Sequence, residues 1–464
     1  MASKVYFMDD HAEHAGESTP FKAVKLLRDA GIETLFKPGD TVGIKIHSGE
    51  FGNSLNLRPH WISYIVDEVK RLGGFPIVIE SNINPWGQHT GRTDTVTHRK
   101  TLTRHGITEE TMGCPVSVGD TFMDVEGVKC EVPHGVYLNY SYMSTHMANL
   151  DAVIVVSHFK GHAMGVFGGA VKNVGIGMAS ARGKLTTHFV NHPTYGIRAA
   201  KVNDEFAQNA LQQSSPNLID ILQKECAFGV YEVKDGRVEI HKDRCAQCGS
   251  CFFEACFSGL MSLPEDFLAT TPMAIADSAA GFINHIGKDK WMFVNYAFDL
   301  TPGCDCNTFH DRPMLPNIGT FVSKDPVAVD MACLEAAEAL YAIPGSAADK
   351  VGLSEPNSEK FTHCSSMAQL SAWGQINAAA FNGLGTSEYE LVESEPFTEF
   401  DVKVMHLPYT PLNPFSYVNQ DYVRRQNFEP DENVAASEPR IPMSELNKQP
   451  VGKVKEYSIR EEQK

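Results

Sequence analysis

Short apolar runs alternate with longer amphipathic ones along the first third of the chain. Lys4–Met8 reads as a strand. Pro20–Leu35 then places Phe21, Val24, Leu27 and Ala30 at helical spacing. Lys37-Pro38-Gly39-Asp40 reads as a turn, and the β-branched run Thr41–His47 as a second strand. Pro59 suits the first position of a helix, and Trp61, Ile62, Ile65, Val66 and Val69 give that helix one apolar face. Gly73-Gly74 ends it, and Phe75–Glu80 is the next strand. Asp151–His158, DAVIVVSH, is apolar without alternation, as a parallel strand covered on both faces requires. Further on, Phe228–His241 predicts a hairpin turning at Asp235-Gly236. Leu263–Gly287 predicts a helix, Lys290–Phe298 and Asn317–Val322 strands, and Pro326–Leu340 a helix. The expected fold class is α/β, a mostly parallel sheet with helices on both faces.

Two stretches break the pattern. Asn191–Asn217 is polar and poorly periodic, an excursion from the core. Beyond residue 400 the periodicity fades, and the proline- and charge-rich tail from Thr410 is expected to wrap the surface or a partner chain. The 464 residues predict two to four structural units, and 42% hydrophobic with 21% charged residues places the chain among globular proteins. Acids outnumber bases 57 to 40, a formal charge of −17, which disfavours nonspecific binding to nucleic acid or anionic membranes. There is no run of 18 apolar residues and no signal-peptide pattern at the start. These features, with the cysteine usage below, predict a cytoplasmic protein with no membrane and no nucleic-acid partner.

Eleven cysteines are unevenly spread. Cys245, Cys248, Cys251 and Cys256 form C-x2-C-x2-C-x4-C, and Cys304-Asp305-Cys306 forms a tighter pair. Three cysteines at two-residue gaps let one loop wrap a cubane iron–sulfur cluster, with Gly249 permitting the sharp turn. Zinc is the competing reading, although zinc sites more often use two separated pairs. The last gap is one longer than in the bacterial motif, and Phe257 stands where that motif has proline. One 4Fe-4S cluster is therefore expected. Its fourth ligand is expected to be Cys256, with Cys304 or Cys306 as alternatives. Cys226, Cys333 and Cys364 read as ordinary buried thiols.

A second signal runs from Ser157 to Gly177, SHFKGHAMGVFGGAVKNVGIG, directly after the apolar strand. Its glycines, Gly168 and Gly169 among them, let backbone amides approach an anion, and His158, Lys160, His162, Lys172 and Asn173 add polar chemistry. The competing reading is a glycine-rich packing loop with solvated lysines. A third group, Lys45, His47, Glu50, Asn53 and Arg58, follows another strand, and Glu80-Ser81-Asn82 ends a third. Open parallel sheets bind ligands at the carboxyl ends of their strands, so these ends predict one pocket for a small anionic ligand. There His47, His158 and His162 would move protons.

The segments KIHSGEFGN with LRP, SHFKGHAMGVFGGAVKNVGIG, RGKLTTH (182–188) and LTPGCDCNTFHDRPMLPNIGTFVSKDPVAVD (300–330) resemble the family called domain of unknown function 362. The resemblance spans about residues 1–390 and implies an α/β body carrying a small ferredoxin-like iron–sulfur insert. It divides the chain into core 1–190, insert 191–262, core 263–390 and C-terminal extension 391–464. Typical members carry two ferredoxin motifs, but here the first would fall near His192–Asn209, which has no cysteine. The GCDCNTFHDRP context is one that members share, so Cys304 and Cys306 would contact the pocket or supply the missing thiolate. The leading expectation is an oxidoreductase or electron-transfer protein with one 4Fe-4S cluster, a redox partner protein and, as a further partner, a second copy of itself. A non-redox enzyme using the cluster as Lewis acid or structural element, and a cofactor- or metal-maturation protein, are the alternatives.

Overall fold

The apolar run after residue 150 forms the centre of the fold. The structure is a computed structural model describing residues 2–84, 91–119, 124–188, 201–202, 216–226, 228–245, 251, 261–262, 267–364 and 370–406. Its main sheet has eight strands: β1 Ser3–Asp9, β2 Thr41–Lys45, β3 Phe75–Glu80, β4 Val116–Val118, β5 Ala152–His158, β6 Trp291–Ala297, β7 Gly319–Ser323 and β8 Tyr389–Glu393. Their spatial order is β8-β1-β7-β6-β5-β2-β3-β4. Only β7 runs against the others, antiparallel to both β1 and β6. The pairs β1–β8, β6–β5, β5–β2, β2–β3 and β3–β4 are parallel.

Alternation along β5 divides the core. Ala152, Ile154 and Val156 face one apolar layer with Leu26, Ile62, Ile65 and Val66 of the helices Thr19–Asp29 and Pro59–Arg71. Val153 and Val155 face the other, with Val171, Ile275, Val329 and Ala332 from three further helices. Every residue of β5 is buried, as its unbroken apolar run requires.

Element boundaries moved for local reasons. The helix expected over Pro20–Leu35 is Thr19–Asp29, ended by Ala30 and by Gly31 at φ +80. Strand β2 stops at Lys45 rather than His47. The hairpin has strands Tyr231–Lys234 and Arg237–Ile240, and both turn residues, Asp235 and Gly236, have positive φ. The glycine-rich run after β5 is itself a hairpin, Lys160–His162 against Val166–Gly168, leading into the short helix Ala170–Gly175. Residues 1–402 form one compact unit and 403–464 a second, of which 403–406 are described. Among the described residues no helix is long and apolar enough to cross a membrane.

One buried carboxylate fixes the glycine-rich run. Asp330 accepts from the backbone N–H of Ala170 (2.7 Å) and Val171 (2.9 Å) and from Asn295 Nδ2 (2.7 Å). A Cβ on Gly169 would lie 2.2 Å from its Oδ1, so only glycine fits there. Asp330→Ala would strand two buried amides and is expected to cost about 3 kcal/mol in urea unfolding, with Asp330→Asn costing less because its oxygen still accepts.

Candidate functional site

Parallel strands end on a common edge, and the polar groups at those ends face one cavity of about 520 Å³. Lys45, His47, Glu50, Glu80, His158, Lys160, His162, Gly168, Gly169, Lys172 and Asn173 all line it. Two residues of the sequence reading lie elsewhere. Arg58 pairs with Asp299 at 2.8 Å and covers the Trp61 ring. Asn53 is buried and donates to the carbonyls of Asn307 (3.3 Å) and Phe309 (3.5 Å). The cavity also takes Arg92, Lys184, His188 and Cys306.

The Cys304-Asp305-Cys306 turn is carried to the end of β5 by backbone contacts. Gly161 donates to Thr301 O (2.8 Å), Glu50 N donates to Asp305 O (2.7 Å), and a Cβ on Gly161 would lie 2.1 Å from Pro302 O. Asp305 is buried, with Oδ2 at 2.8 Å from His158 Nδ1 and 3.5 Å from Lys160 Nζ. Burial opposes ionisation, but His158 and Lys160 hold its carboxyl down at about 2. The other nitrogen of His158 lies 2.7 Å from Phe298 O. Both nitrogens are thus tied to fixed oxygens, so this ring serves as an anchor.

The thiols meet two other rings. Cys304 Sγ lies 3.9 Å from His47 Nε2, and Cys306 Sγ lies 3.8 Å from His162 Nε2. The donor atoms of His162, Cys304 and Cys306 all lie within 4.8 Å of one another, a group that could hold a metal ion. Soft thiolates with an imidazole suit zinc, iron or nickel. The far sides of the rings add a constraint. His47 Nδ1 accepts from Gly49 N (3.0 Å), and His162 Nδ1 accepts from Met164 N (3.1 Å) and Gly165 N (2.8 Å). Burial pushes both rings down to about 4, so they are neutral at pH 7. With Nδ1 accepting, the ring hydrogen sits on Nε2 and points at sulfur. A metal ligand would instead bind through a bare Nε2 and donate from Nδ1. As drawn, the rings favour a thiolate. Burial raises the Cys304 thiol, but the bond from Cys306 and the charges of Lys172 and Lys160 outweigh it and hold Cys304 well below the usual thiol range. Cys306 stands well above it, first because of that same bond.

The cations are unusually dry. Lys45, Lys160, Lys172, Lys184 and Arg92 are all at most 6% exposed. Lys45 is consumed internally by Glu80 (2.7 Å), Asn173 (3.1 Å) and the Ile46 carbonyl. Arg92 meets Glu50 at 3.1 Å. Lys184 donates to Ser81 Oγ and Ala179 O, both at 2.5 Å, and burial pulls it down to about 7. Lys172 has no carboxylate within ion-pair distance among the described residues. Arg92 and Lys184 escaped the sequence reading of the site, since neither lies at a strand end. Only the glycine-lysine run of RGKLTTH hinted at the second.

A separate set of thiols flanks the Tyr231–Ile240 hairpin. Cys245 and Cys251 are half-buried, while Cys248 and Cys256 lie outside the described residues. The buried Tyr231 hydroxyl is raised by burial and by the neighbouring thiols of Cys251, Cys226 and Cys245. A buried polar atom among thiols fits a sulfur-ligated iron cluster.

Comparison with known proteins places these motifs in context. The profile described as Domain of unknown function (DUF362) matches residues 42–335, a span that includes all four quoted segments. Six solved chains match. One is the lactate racemase apoprotein from Thermoanaerobacterium thermosaccharolyticum, at 9% identity and a TM-score of 0.31 over 74% of this chain and 59% of that one. This chain thus spans less than two thirds of that protein. No curated protein matches.

The buried neutral histidines make the fold acid-sensitive. His47 and His162 titrate near 4, His188 near 3 and His98 well below 6.5, against 6.5 when unfolded. Below pH 6.5 the unfolded chain binds protons that the native rings refuse, so stability falls as pH drops from 6.5 toward 4. Each ring contributes a slope of about 1.4 kcal/mol per pH unit. Asp330, raised to about 6, opposes this, as do the carboxyls of Asp67 and Glu338, which burial also raises. Thermal melts are expected to show a steep loss from pH 7 to pH 5, and a flat profile would contradict the neutral-ring assignment.

Proposed function

The chain belongs to the family described as a domain of unknown function (DUF362), and from its site we propose that it is an iron–sulfur oxidoreductase acting on a small organic anion. The observation that carries this reading is the surplus of buried positive charge facing one cavity. Among the lining residues four lysines and Arg92 stand against two carboxylates, Glu50 and Glu80, while the buried Asp305 and Cys304 lie behind Lys160 and the buried Asp124 acts on Lys184. A carboxylate or phosphate between Lys160 and Lys172 would balance the rest.

The chain's own groups then divide the work. Lys172 and Lys160 bind and orient the anion over the Cys304–Cys306 floor. Lys184, near 7, takes or releases a proton at Nζ around neutral pH beside Ser81. Cys304 is the electron-rich sulfur, and Cys306 holds the proton between them. His47 and His162 steady that charge with Nε2–H. The cysteines at 245, 248 and 251 would hold a 4Fe-4S cluster, which supplies one-electron chemistry when bound. Electrons would come from a redox partner protein.

A second reading, a soft divalent metal held by Cys304, Cys306 and His162, is favoured by the convergence of those three donors. It requires the His162 ring to release its two backbone bonds.

Anaerobically purified protein is expected to contain about four irons and four sulfides per chain. Thermal-shift titration with short carboxylates and phosphates should find a stabilising anion, and Lys172→Met should weaken it about tenfold, or ~1.4 kcal/mol. Cys304→Ser should leave the iron spectrum intact. Stoichiometric zinc lost in Cys304→Ser, with no acid-labile sulfide, favours the second reading.

A further inference from the structure

The hairpin returns the chain to where it started. Tyr231 pairs with Ile240, and the pairing extends outward: His241 N donates to Val230 O (2.8 Å), and Arg244 Nη1 donates to Gly229 O (3.0 Å). Cys226 lies four residues before Val230, and Cys245 lies four residues after His241. The two cysteines therefore flank the open end of one hairpin. Cys226 follows the helix Pro216–Glu225, its amide donating to Leu222 O (3.0 Å). Its sulfur accepts from Val230 N (3.4 Å). Cys245 follows the single turn Lys242–Arg244. Between them, at 3% exposure, the Tyr231 hydroxyl lies close enough to feel Cys251, Cys226 and Cys245, thiols from both segments.

We propose that Cys226, not Cys256, supplies the fourth thiolate of the cluster begun by Cys245, Cys248 and Cys251. This rests on the iron–sulfur reading above. In ferredoxin-type runs the fourth cysteine of a run serves the other cluster, so a cubane takes three thiolates from one loop and one from another segment. Here the other segment is the one the hairpin brings alongside. Cys256 is the fourth cysteine of its own run, and the chain has no second C-x2-C-x2-C for it to complete. Cys304 and Cys306 are engaged beside the cavity with His47 and His162. Closing a loop from Cys226 to Cys245 also costs less entropy than reaching Cys304. The Val230 amide on Cys226 sulfur is the kind of contact that tunes a ligated thiolate.

The test uses the full chain, purified anaerobically, with iron and sulfide analysis and paramagnetic resonance of dithionite-reduced samples. Cys226→Ala is expected to lose the reduced four-iron signal or convert it to a three-iron form, while Cys256→Ala keeps it. A four-iron signal retained in Cys226→Ala, or lost in Cys256→Ala alone, overturns the assignment. Wild-type protein without acid-labile sulfide sinks the iron–sulfur reading itself, a separate outcome. Because Cys226→Ala risks misfolding, wild-type protein is also alkylated with iodoacetamide before and after chelator treatment. Cys226 should be protected until the iron is removed, and Cys256 labelled throughout. The reverse pattern rejects the proposal.

Discussion

Charge taken out of water has to be answered by charge, and that requirement organises this protein. Five basic side chains sit at the carboxyl edge of the sheet with almost no solvent contact. An isolated buried ammonium would lose its proton or unfold the structure around it. Lys45 keeps its place because Glu80 stands 2.7 Å away, and Lys160 because Asp305, Cys304 and Cys306 outweigh its desolvation. Lys184 has hydroxyl and carbonyl acceptors but no carboxylate within ion-pair distance among the described residues, and burial pulls it down to about 7. Lys172 and Lys184 are thus the two cations of the cavity that lack a carboxylate ion-pair partner among the described residues.

The sheet supplies the rigidity that such an arrangement needs. Glu80, Lys45 and His158 each sit on the last residue of a parallel strand, so their spacing follows from the strand ladder. The Cys-Asp-Cys turn has no such support. It is positioned by close backbone approach at Gly161, by Glu50 N on Asp305 O, and by the Asp305 carboxylate gripping His158. Removing that carboxylate would leave His158 and Lys160 facing each other across a dry space.

Much of this was legible in the order of residues, and the exceptions have physical reasons. Pro59 and Pro326 marked helix starts because proline tolerates the first helical position. The run DAVIVVSH announced a strand covered on both faces, and the three polar strand ends announced a shared edge. Strand direction was not legible: Gly319–Ser323 is apolar like its neighbours, and nothing local distinguishes its antiparallel course. The edge strand Tyr389–Glu393 is half exposed and carries no long apolar run. The glycine-rich segment folds as a buried hairpin because its backbone pairs with itself, an outcome that composition does not encode. Arg92 reaches the cavity through its pairing with Glu50, a contact between distant segments. Cys226 looked like a lone thiol until the hairpin brought its segment and that of Cys245 to one open end.

The two thiol groups also show how surroundings divide chemistry among identical side chains. Cys304 is 3% exposed and meets ring N–H groups and ammoniums, an environment that stabilises one negative sulfur and nothing bulkier. Cys226, Cys245 and Cys251 are half-buried and come from two segments, and Cys226 sulfur accepts from a backbone amide. A thiolate held by fixed ring donors is prepared for a reaction with what enters the cavity, since each donor already points at it. In the proposed iron–sulfur reading, the thiols that flank the hairpin would instead answer the positive charge of bound iron.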